Sequence, residues 1–351
     1  MSQENKASGA SEVPARYSRQ VLFGGIGEEG QARIMRSRVA VVGCGALGAM
    51  QASLLARAGV GTLRVIDRDF VEESNLQRQI LFDEQDVRDM LPKAAAAEKK
   101  LRAVNSLANI EGVVDDVNAS TADRLLGGFD LVMDAADNFN VRFLVNEYAV
   151  KNNIPWIYGA CVGSYGLTFP ILPGEGACLR CVFESAPPPG VSPSCDTAGV
   201  IGPIVGAVAS FQVAEALKIL SGARERVNRK ITTIDLWENR HDSIDLPKPF
   251  ADCACCGRHE YPFLEGAAGE EVSSLCGRNS VQIRPKSQGH IDLDSLAERL
   301  ASVGQIERNR FLLRAVIDDH QLTVFSDGRA IIQGTYDEAV AKSLYARYIG
   351  T

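Results

Sequence analysis

The chain has 351 residues, 46% of them hydrophobic and 23% charged, which is enough for a large core and ordinary for a folded protein. Its 37 basic and 44 acidic residues give a net charge of −7, so no overall attraction for nucleic acid or an anionic membrane surface is expected. Nine cysteines, an odd number behind an N-terminus without the apolar core of a secretion signal, argue against a disulfide framework and for metal or thiol chemistry. No apolar run reads as long enough to span a membrane, and a cytoplasmic location is expected.

Residues 1–15 are polar and patternless and are expected to be disordered. Order begins near Arg16-Tyr-Ser-Arg19-Gln20, and composition alone leaves both arginines on the surface. An amphipathic segment from Glu28 to Met35 precedes the stretch Arg38-Val-Ala-Val-Val-Gly43-Cys-Gly45-Ala-Leu-Gly48. Val39 to Val42 has the length and β-branching of a buried parallel strand, and Leu47, Met50 and Leu54 then recur at helical spacing until Gly59. Gly43 permits the tight turn, Gly45 lets backbone N–H groups approach phosphate, and Gly48 allows close helix–strand packing. A second run, Thr62 to Ile66, ends in Asp67, about 20 positions beyond the third glycine, where an acidic residue that binds a ribose hydroxyl is expected. Strand, glycine turn, helix and acid together predict a nucleotide site.

Beyond Asp67, the segment Asp69 to Gln79 brings Asn75, Arg78 and Gln79 toward the nucleotide, and Lys93 heads a helix running to about Val104. A dinucleotide's pyrophosphate can be held largely by backbone N–H groups, whereas cleaving a triphosphate builds charge on a leaving pyrophosphate that needs cations. Arg78 and Lys93 could supply them; the plain alternative is a surface arginine and a helix-start lysine. After a weaker strand near Ile110 to Val114, the run Phe129-Asp-Leu-Val-Met-Asp134-Ala-Ala-Asp137-Asn138 ends in carboxylates at the same edge of the sheet as the glycine turn. Either Asp134 or Asp137 could hold Mg²⁺, or Asp137 or Asn138 could simply cap the helix from Val141 to Val150.

The strand Pro155 to Tyr158 opens into a glycine-rich connection, Gly159 to Gly166, suited to lining a groove, before Leu167 to Leu172. Cys178-Leu-Arg-Cys181 and Cys253-Ala-Cys255-Cys256 follow, and each Cys-x-x-Cys pair has the spacing that lets two thiolates share one tetrahedral Zn²⁺. Cys178, Cys181, Cys253 and Cys256 are the predicted ligands, with Cys255 spare, and four thiolates make a structural clamp closed to substrate. Between the pairs, Ser185 to Ser194 reads as a mobile proline-rich loop ending at Cys195, which is either an accessible reactive thiol or an ordinary loop cysteine. The helix from Pro203 to Leu220 is apolar almost all round, so it belongs in a core or a dimer interface, and a strand from Lys230 to Leu236 follows. From about Glu265 the character changes to a small α+β unit, residues 265–351. It has strands at Ser280 to Ile283, Phe311 to Ile317, Gln321 to Phe325 and Arg329 to Ile332, and a helix carrying Leu293, Leu296 and Leu300. Thr335 and Glu338 form a capping box for a last helix through Tyr348. Cys276 reads as structural.

The ordered set of motifs from about Arg16 to Gly257 resembles the ThiF and MoeB family, bacterial relatives of ubiquitin-activating enzymes. It rests on Arg16-Tyr-Ser-Arg19-Gln20, Gly43-Cys-Gly-Ala-Leu-Gly48, Asp67-Arg-Asp69, Ser74-Asn75-Leu-Gln-Arg78-Gln79, Pro92-Lys93, Asp134-Ala-Ala-Asp137-Asn138, both cysteine pairs and Cys195-Asp-Thr-Ala-Gly-Val-Ile-Gly-Pro203. The resemblance implies a Rossmann-like, mostly parallel sheet in residues 16–264. It also implies an ATP site lined by the Gly43, Gly45 and Gly48 turn with Asp67, Asp69, Asn75, Arg78, Gln79 and Lys93. It assigns Mg²⁺ to Asp137, and has Arg19 reach the triphosphate of the other protomer of a homodimer. The implied reaction is adenylation of the C-terminal Gly-Gly carboxylate of a small ubiquitin-like sulfur-carrier protein. Sulfur would come from a donor protein, and Cys195 would act after the adenylate. The C-terminal extension tips the resemblance toward ThiF. An NAD-dependent dehydrogenase would use the same glycine turn but leave the cations and the zinc clamp without purpose. A non-catalytic binder of a ubiquitin-like protein would lose Arg78, Lys93 or Asp137, and all three are present.

Overall fold

The structure, a computed structural model, describes residues 13–185, 198–266, 272–275, 279–283 and 291–350. The expected disordered segment up to residue 12, Cys195, Cys276 and most of the Ser185 to Ser194 loop lie outside the described residues. A 3-10 turn at Ala15–Tyr17 leads to α1 (Ser18–Val21), α2 (Gly27–Arg36), β1 (Arg38–Val42), α3 (Ala46–Ala58), β2 (Thr62–Ile66), α4 (Glu84–Arg88) and α5 (Lys93–Val104). The chain continues through β3 (Asn109–Val113), α6 (Ala122–Leu126), β4 (Leu131–Asp134), α7 (Phe139–Asn152), β5 (Trp156–Val162), β6 (Tyr165–Ile171), α8 (Leu179–Val182), α9 (Gly202–Ser221), β7 (Lys230–Asp235) and β8 (Arg240–Asp245).

These strands form one sheet in the order β3-β2-β1-β4-β5-β6-β7-β8, parallel from β3 to β5 and antiparallel from β6 onward. The chain leaves β1 toward β2 on one side and returns to β4 on the other, so the crevice for a ligand falls at the carboxyl ends of β1 and β4. Side chains of β1 feed two cores. Val39 and Val41 pack with Ala52, Leu55, Leu101 and Val213 on one face, and Ala40 and Val42 with Leu126, Phe143 and Trp156 on the other. Burial on both faces is why this strand reads as a continuous apolar run with no alternation.

The predicted glycine-rich connection is instead part of two strands, because β5 extends through Gly159 and pairs antiparallel with β6. The backbone there is approached closely from α9: a Cβ on Gly159 would lie 2.4 Å from the Gln212 amide, and one on Gly166 2.4 Å from Val208. By its length and a mean hydropathy of 1.5, α9 could cross a membrane, contrary to the reading of the sequence. It nevertheless packs on α2, α3, β5 and β6, with half of the span buried.

A second, antiparallel sheet comprises β9 (Val272–Leu275), β10 (Ser280–Ile283), β11 (Gln305–Arg308), β12 (Leu312–Ile317), β13 (His320–Phe325) and β14 (Ala330–Gln333), in the order β11-β12-β13-β14-β10-β9. One face is covered by α10 (Leu293–Leu300) and α11 (Glu338–Tyr348), whose Leu296, Leu300, Ala341 and Tyr345 pack on Val281, Leu313, Leu322 and Ile332. The other face presents Leu312, Phe325 and Ile331 to Phe70 and Met90 of the first sheet's unit. The cap of α11 is Asp337, whose side chain accepts from the Ala339 and Val340 N–H groups. Thr335 serves one step earlier by accepting from the Asp337 N–H.

Candidate active site

The predicted residues converge on the carboxyl edge of the parallel strands. Gly43, at φ +94, sits in the left-handed region, and a Cβ on it would lie 2.4 Å from the Ala135 carbonyl. A Cβ on Gly48 would lie 2.0 Å from the Gly43 carbonyl, so only glycine lets α3 start this close to the strand it follows. The backbone N–H of Cys44 donates to Asp67 Oδ2 at 2.6 Å, and that of Asp69 to Asp67 Oδ1 at 2.7 Å. Burial pushes the Asp67 carboxyl up; Lys93 and these two N–H groups oppose it. Lys93 is only 3% exposed and its Nζ lies 3.1 Å from Asp69 Oδ2. The glycine turn, the acid that ends β2 and the lysine that opens α5 thus form one connected edge.

The turn after Glu72 brings in the next set. Asn75 is buried, its Oδ1 accepts from the Glu72 N–H at 3.2 Å, and its carbonyl accepts from the N–H groups of both Arg78 and Gln79. Arg78 donates to the Ser74 carbonyl at 2.8 Å. Gln79 lies buried against the glycine turn, 3.8 Å from where a Cβ on Gly45 would stand, and its Oε1 has no hydrogen-bond partner among the described residues.

The two carboxylates after β4 differ. Asp134 is buried, accepts from Arg142 Nε at 3.1 Å and from the Ala136 and Gly159 N–H groups, and is spent inside the protein. Burial pushes its carboxyl up, opposed by Arg142. Asp137 is exposed at the sheet edge, and the cap of α7 is Asn138, whose side chain accepts from the Val141 N–H. Cap and candidate metal ligand are therefore neighbouring residues with separate tasks.

Three residues near this edge escaped the reading of the sequence. Arg68, between the two acids, is bound to Asp116 at 3.2 Å. Burial works against its charge, but Asp116, Asp137 and Asp69 outweigh it and hold the guanidinium above its usual range. Arg142 donates also to the carbonyls of Ala136 and Gly159, and so fixes the segment just before Asp137. Gln212 donates to the Asp134 carbonyl at 3.0 Å, beside Gln51 at 2.9 Å. A lone arginine inside the apolar run Phe139-Asn-Val-Arg-Phe-Leu-Val was the available signal for Arg142.

Arg19 is exposed on α1, and next to it Leu22 and Phe23 are 73% and 65% exposed. A cavity of about 550 Å³ lined by Arg33, Arg36, Ser37 and Asp130 opens at the opposite, amino ends of β1 and β4 and contains none of the predicted residues.

The four thiols come together as the spacing required. The sulfurs of Cys178, Cys181, Cys253 and Cys256 all lie within 4.8 Å of one another, with Cys178–Cys253 at 3.7 Å, Cys178–Cys181 at 4.0 Å and Cys181–Cys256 at 3.5 Å. A tetrahedral zinc with bonds of about 2.3 Å requires sulfur separations of about 3.8 Å, so the donor set fits. Cys255 is buried outside the four, and Asn146 Nδ2 lies 3.2 Å from its sulfur. A hydrogen bond from Cys255 brings Cys178 down to about 4, a thiolate suited to a metal.

An open sheet whose switch point carries a glycine turn, an acid–lysine edge and a buried four-thiol cluster defines a nucleotide-binding α/β protein with a thiolate site fit for zinc. The chain belongs to the ThiF family, whose model matches residues 17–255. It is 46% identical to the sulfur carrier protein ThiS adenylyltransferase of Bacillus subtilis (strain 168) over 340 residues, 96% of this chain and 100% of that relative. It is 44% identical to the sulfur carrier protein adenylyltransferase of Thermus thermophilus over 247 residues, 69% of this chain and 90% of that one. Among solved structures, E. coli MccB with ATP matches at a TM-score of 0.61 and 24% identity, covering 69% of this chain and 74% of that chain, a likeness of fold.

Proposed function

We propose that the chain uses ATP to adenylate the C-terminal Gly-Gly carboxylate of a small ubiquitin-like sulfur-carrier protein, preparing it for thiocarboxylate formation in thiamin or molybdopterin biosynthesis. The observation that carries this reading is the connected edge of Cys44, Asp67, Asp69 and Lys93, which joins a phosphate-binding turn to a buried cation. The substrate carboxylate is ionised at neutral pH and attacks the α-phosphorus, forming the acyl-phosphate bond as pyrophosphate leaves, so no general base is required. The N–H group after Gly45, at the start of α3, receives a phosphate oxygen, while the one after Gly43 is held by Asp67. Asp67 and Asn75 orient the ribose, Gln79 offers the nucleotide its amide oxygen, which has no hydrogen-bond partner among the described residues, and Arg78 and Lys93 stabilise charge on the leaving pyrophosphate.

Mg²⁺, held at Asp137, supplies further charge screening when bound. Zn²⁺ on the four cysteines ties the α8 segment to the segment around Cys253. Arg19, exposed beside Leu22 and Phe23, serves the triphosphate of the partner in a homodimer, and this apolar surface supports such an interface. Sulfur comes from a donor protein, and Cys195 acts after activation as nucleophile or persulfide partner.

The test is ATP–pyrophosphate exchange in the presence of carriers ending in Gly-Gly. Exchange is expected only with such a carrier, and Asp137→Ala and Arg78→Ala should each abolish it while leaving the melting temperature near that of the parent. Exchange that persists in Asp137→Ala removes the metal role, and hydride transfer from NADH would replace the reading with a dehydrogenase.

A further inference from the structure

We propose that the C-terminal sheet is a positioning element for the nucleotide edge, and that Asn309 is the positioning residue through which it acts. The inference rests on the reading that this edge binds ATP.

Asp69 and Lys93 are far apart in sequence but mounted on one strap. The Lys93 N–H donates to the Asp69 carbonyl at 2.8 Å, Phe70 forms an antiparallel bridge with Pro92, and the Val71 N–H donates to the Leu91 carbonyl at 2.9 Å. One side of the strap carries the Asp69–Lys93 ion pair. The other side belongs to the C-terminal sheet. Phe70 and Met90, 3% and 9% exposed, are buried against Leu312, Phe325 and Ile331, and the Arg314 guanidinium stands 5.1 Å from the centre of the Phe70 ring.

Met90 has φ +49, the left-handed region that a methionine occupies only where its surroundings impose it. The turn that ends α4 imposes it, with the Met90 N–H donating to the Val87 carbonyl and the Leu91 N–H to the Asp86 carbonyl, and Asn309 clamps that turn. The Asn309 Nδ2 donates to the carbonyls of both Asp89 and Met90, at 2.8 and 2.9 Å, while its Oδ1 accepts from the N–H groups of Phe311 and Leu312 at the start of β12. One amide therefore welds the sheet to the strap two residues before Pro92. A second tie runs from Gln282 to Asp116, at 3.5 Å, and Asp116 holds Arg68 beside Asp69. Without Asn309 the turn before Pro92 loses its tie to the C-terminal sheet, and the lysine that faces the phosphates loses that support.

The experiment uses the full-length chain. ATP affinity is measured by calorimetry, carrier-dependent exchange gives separate KM values for ATP and carrier, and hydrogen exchange reports on residues 89–93. Asn309→Ala is expected to weaken ATP binding about tenfold, the order of one hydrogen bond's net contribution. The KM for carrier should stay within about twofold and exchange at residues 89–93 should quicken. Asn309→Asp keeps the acceptor for Phe311 and Leu312 but cannot donate to the strap, so it should be as impaired as alanine. A contact that merely stabilises the fold would lower the melting temperature and leave ATP affinity unchanged at 20 °C. Should either variant fail to fold, Arg314→Gln, which removes the cation over Phe70 together with its ion pair to Glu307, should show the same direction of change in smaller degree. Parental affinity in both Asn309 variants overturns the proposal while the ATP site stands; failure of the parent to bind ATP removes the site reading and this inference with it.

Discussion

The Cys44 N–H donates to the Asp67 carboxylate at 2.6 Å, so the acid that ends β2 is hydrogen bonded to the glycine turn that ends β1. The two strands pair in register, Val42 beside Ile66, which brings the residue after Ile66 level with the turn. The second oxygen of Asp67 is engaged by the Asp69 N–H, so a single carboxylate orders both the phosphate turn and the residue that pairs with Lys93. Asp67→Ala should therefore lose more than a ribose contact. Hydrogen bonds to a charged group are each worth about 1.5–3 kcal/mol, so ATP affinity measured by calorimetry should fall at least about tenfold. Asp67→Asn, which keeps one acceptor oxygen, should fall between alanine and the parent.

Zinc analysis of the purified chain should find one ion per chain, because the four sulfurs already stand at the separations of a tetrahedral site. A Cys181→Ser/Cys256→Ser double variant should lose the metal and several degrees of melting temperature. Cys255→Ala should keep the metal, since that sulfur lies outside the four. Full zinc in the double variant would contradict the ligand set.

Much of the fold was legible because its parallel strands are buried on both faces and read as apolar runs: Thr62–Ile66 and the start of α5 at Lys93 fall where the sequence put them. β8 was missed because all of its residues are exposed and all but Ile244 are polar, so the strand exists only through its backbone ladder to β7. Gly159 and Gly166 read as loop because their lack of side chains serves tight packing under α9, a demand set by the distant Gln212 and Val208. At the site, the glycines, Asp67 and Lys93 carried local signals. The partners of Arg68 and Arg142 are brought in by the sheet: Asp116 from beyond β3 and Gly159 from β5.

Glu147 offers a pH test of the segment that follows the second cysteine pair. It is fully buried in α7, accepts from the N–H groups of Phe263 and Leu264, and lies 3.9 Å from Arg180. Burial, only partly offset by these groups, pushes its carboxyl from 4.5 up to about 7. Between those values the unfolded chain has released the proton and the folded chain has kept it, so this residue's contribution makes stability fall as pH rises from 4.5 to about 7 and level off above. Glu147→Gln has no proton to lose. Its stability relative to the parent should rise across that window by up to about 3 kcal/mol, at 1.36 kcal/mol per pH unit. Denaturant melts at pH 5 and pH 8 provide the measurement. A difference between variant and parent that does not change with pH would show that Glu147 is ionised throughout.

The homodimer reading makes a prediction that no single-chain mechanism shares. Arg19 is exposed on α1, flanked by the exposed Leu22 and Phe23, while Asp137 stands at the carboxyl edge of the sheet. If each active site combines its own Asp137 with the partner's arginine, Arg19→Ala and Asp137→Ala chains should each be inactive as homodimers. Mixing them by co-expression should restore exchange, because in a mixed dimer the Arg19→Ala chain supplies an intact Asp137 and the other chain supplies an intact Arg19 to that same site. One of the two sites in such a dimer is whole and the other lacks both groups. With random pairing half of the dimers are mixed, so recovered exchange should be about a quarter of the parental rate. The mixture stays inactive if Arg19 serves the site of its own chain, since every site then lacks one group. An Arg19→Ala variant that is active by itself would remove Arg19 from the reaction and leave Leu22 and Phe23 as the remaining argument for an interface at α1.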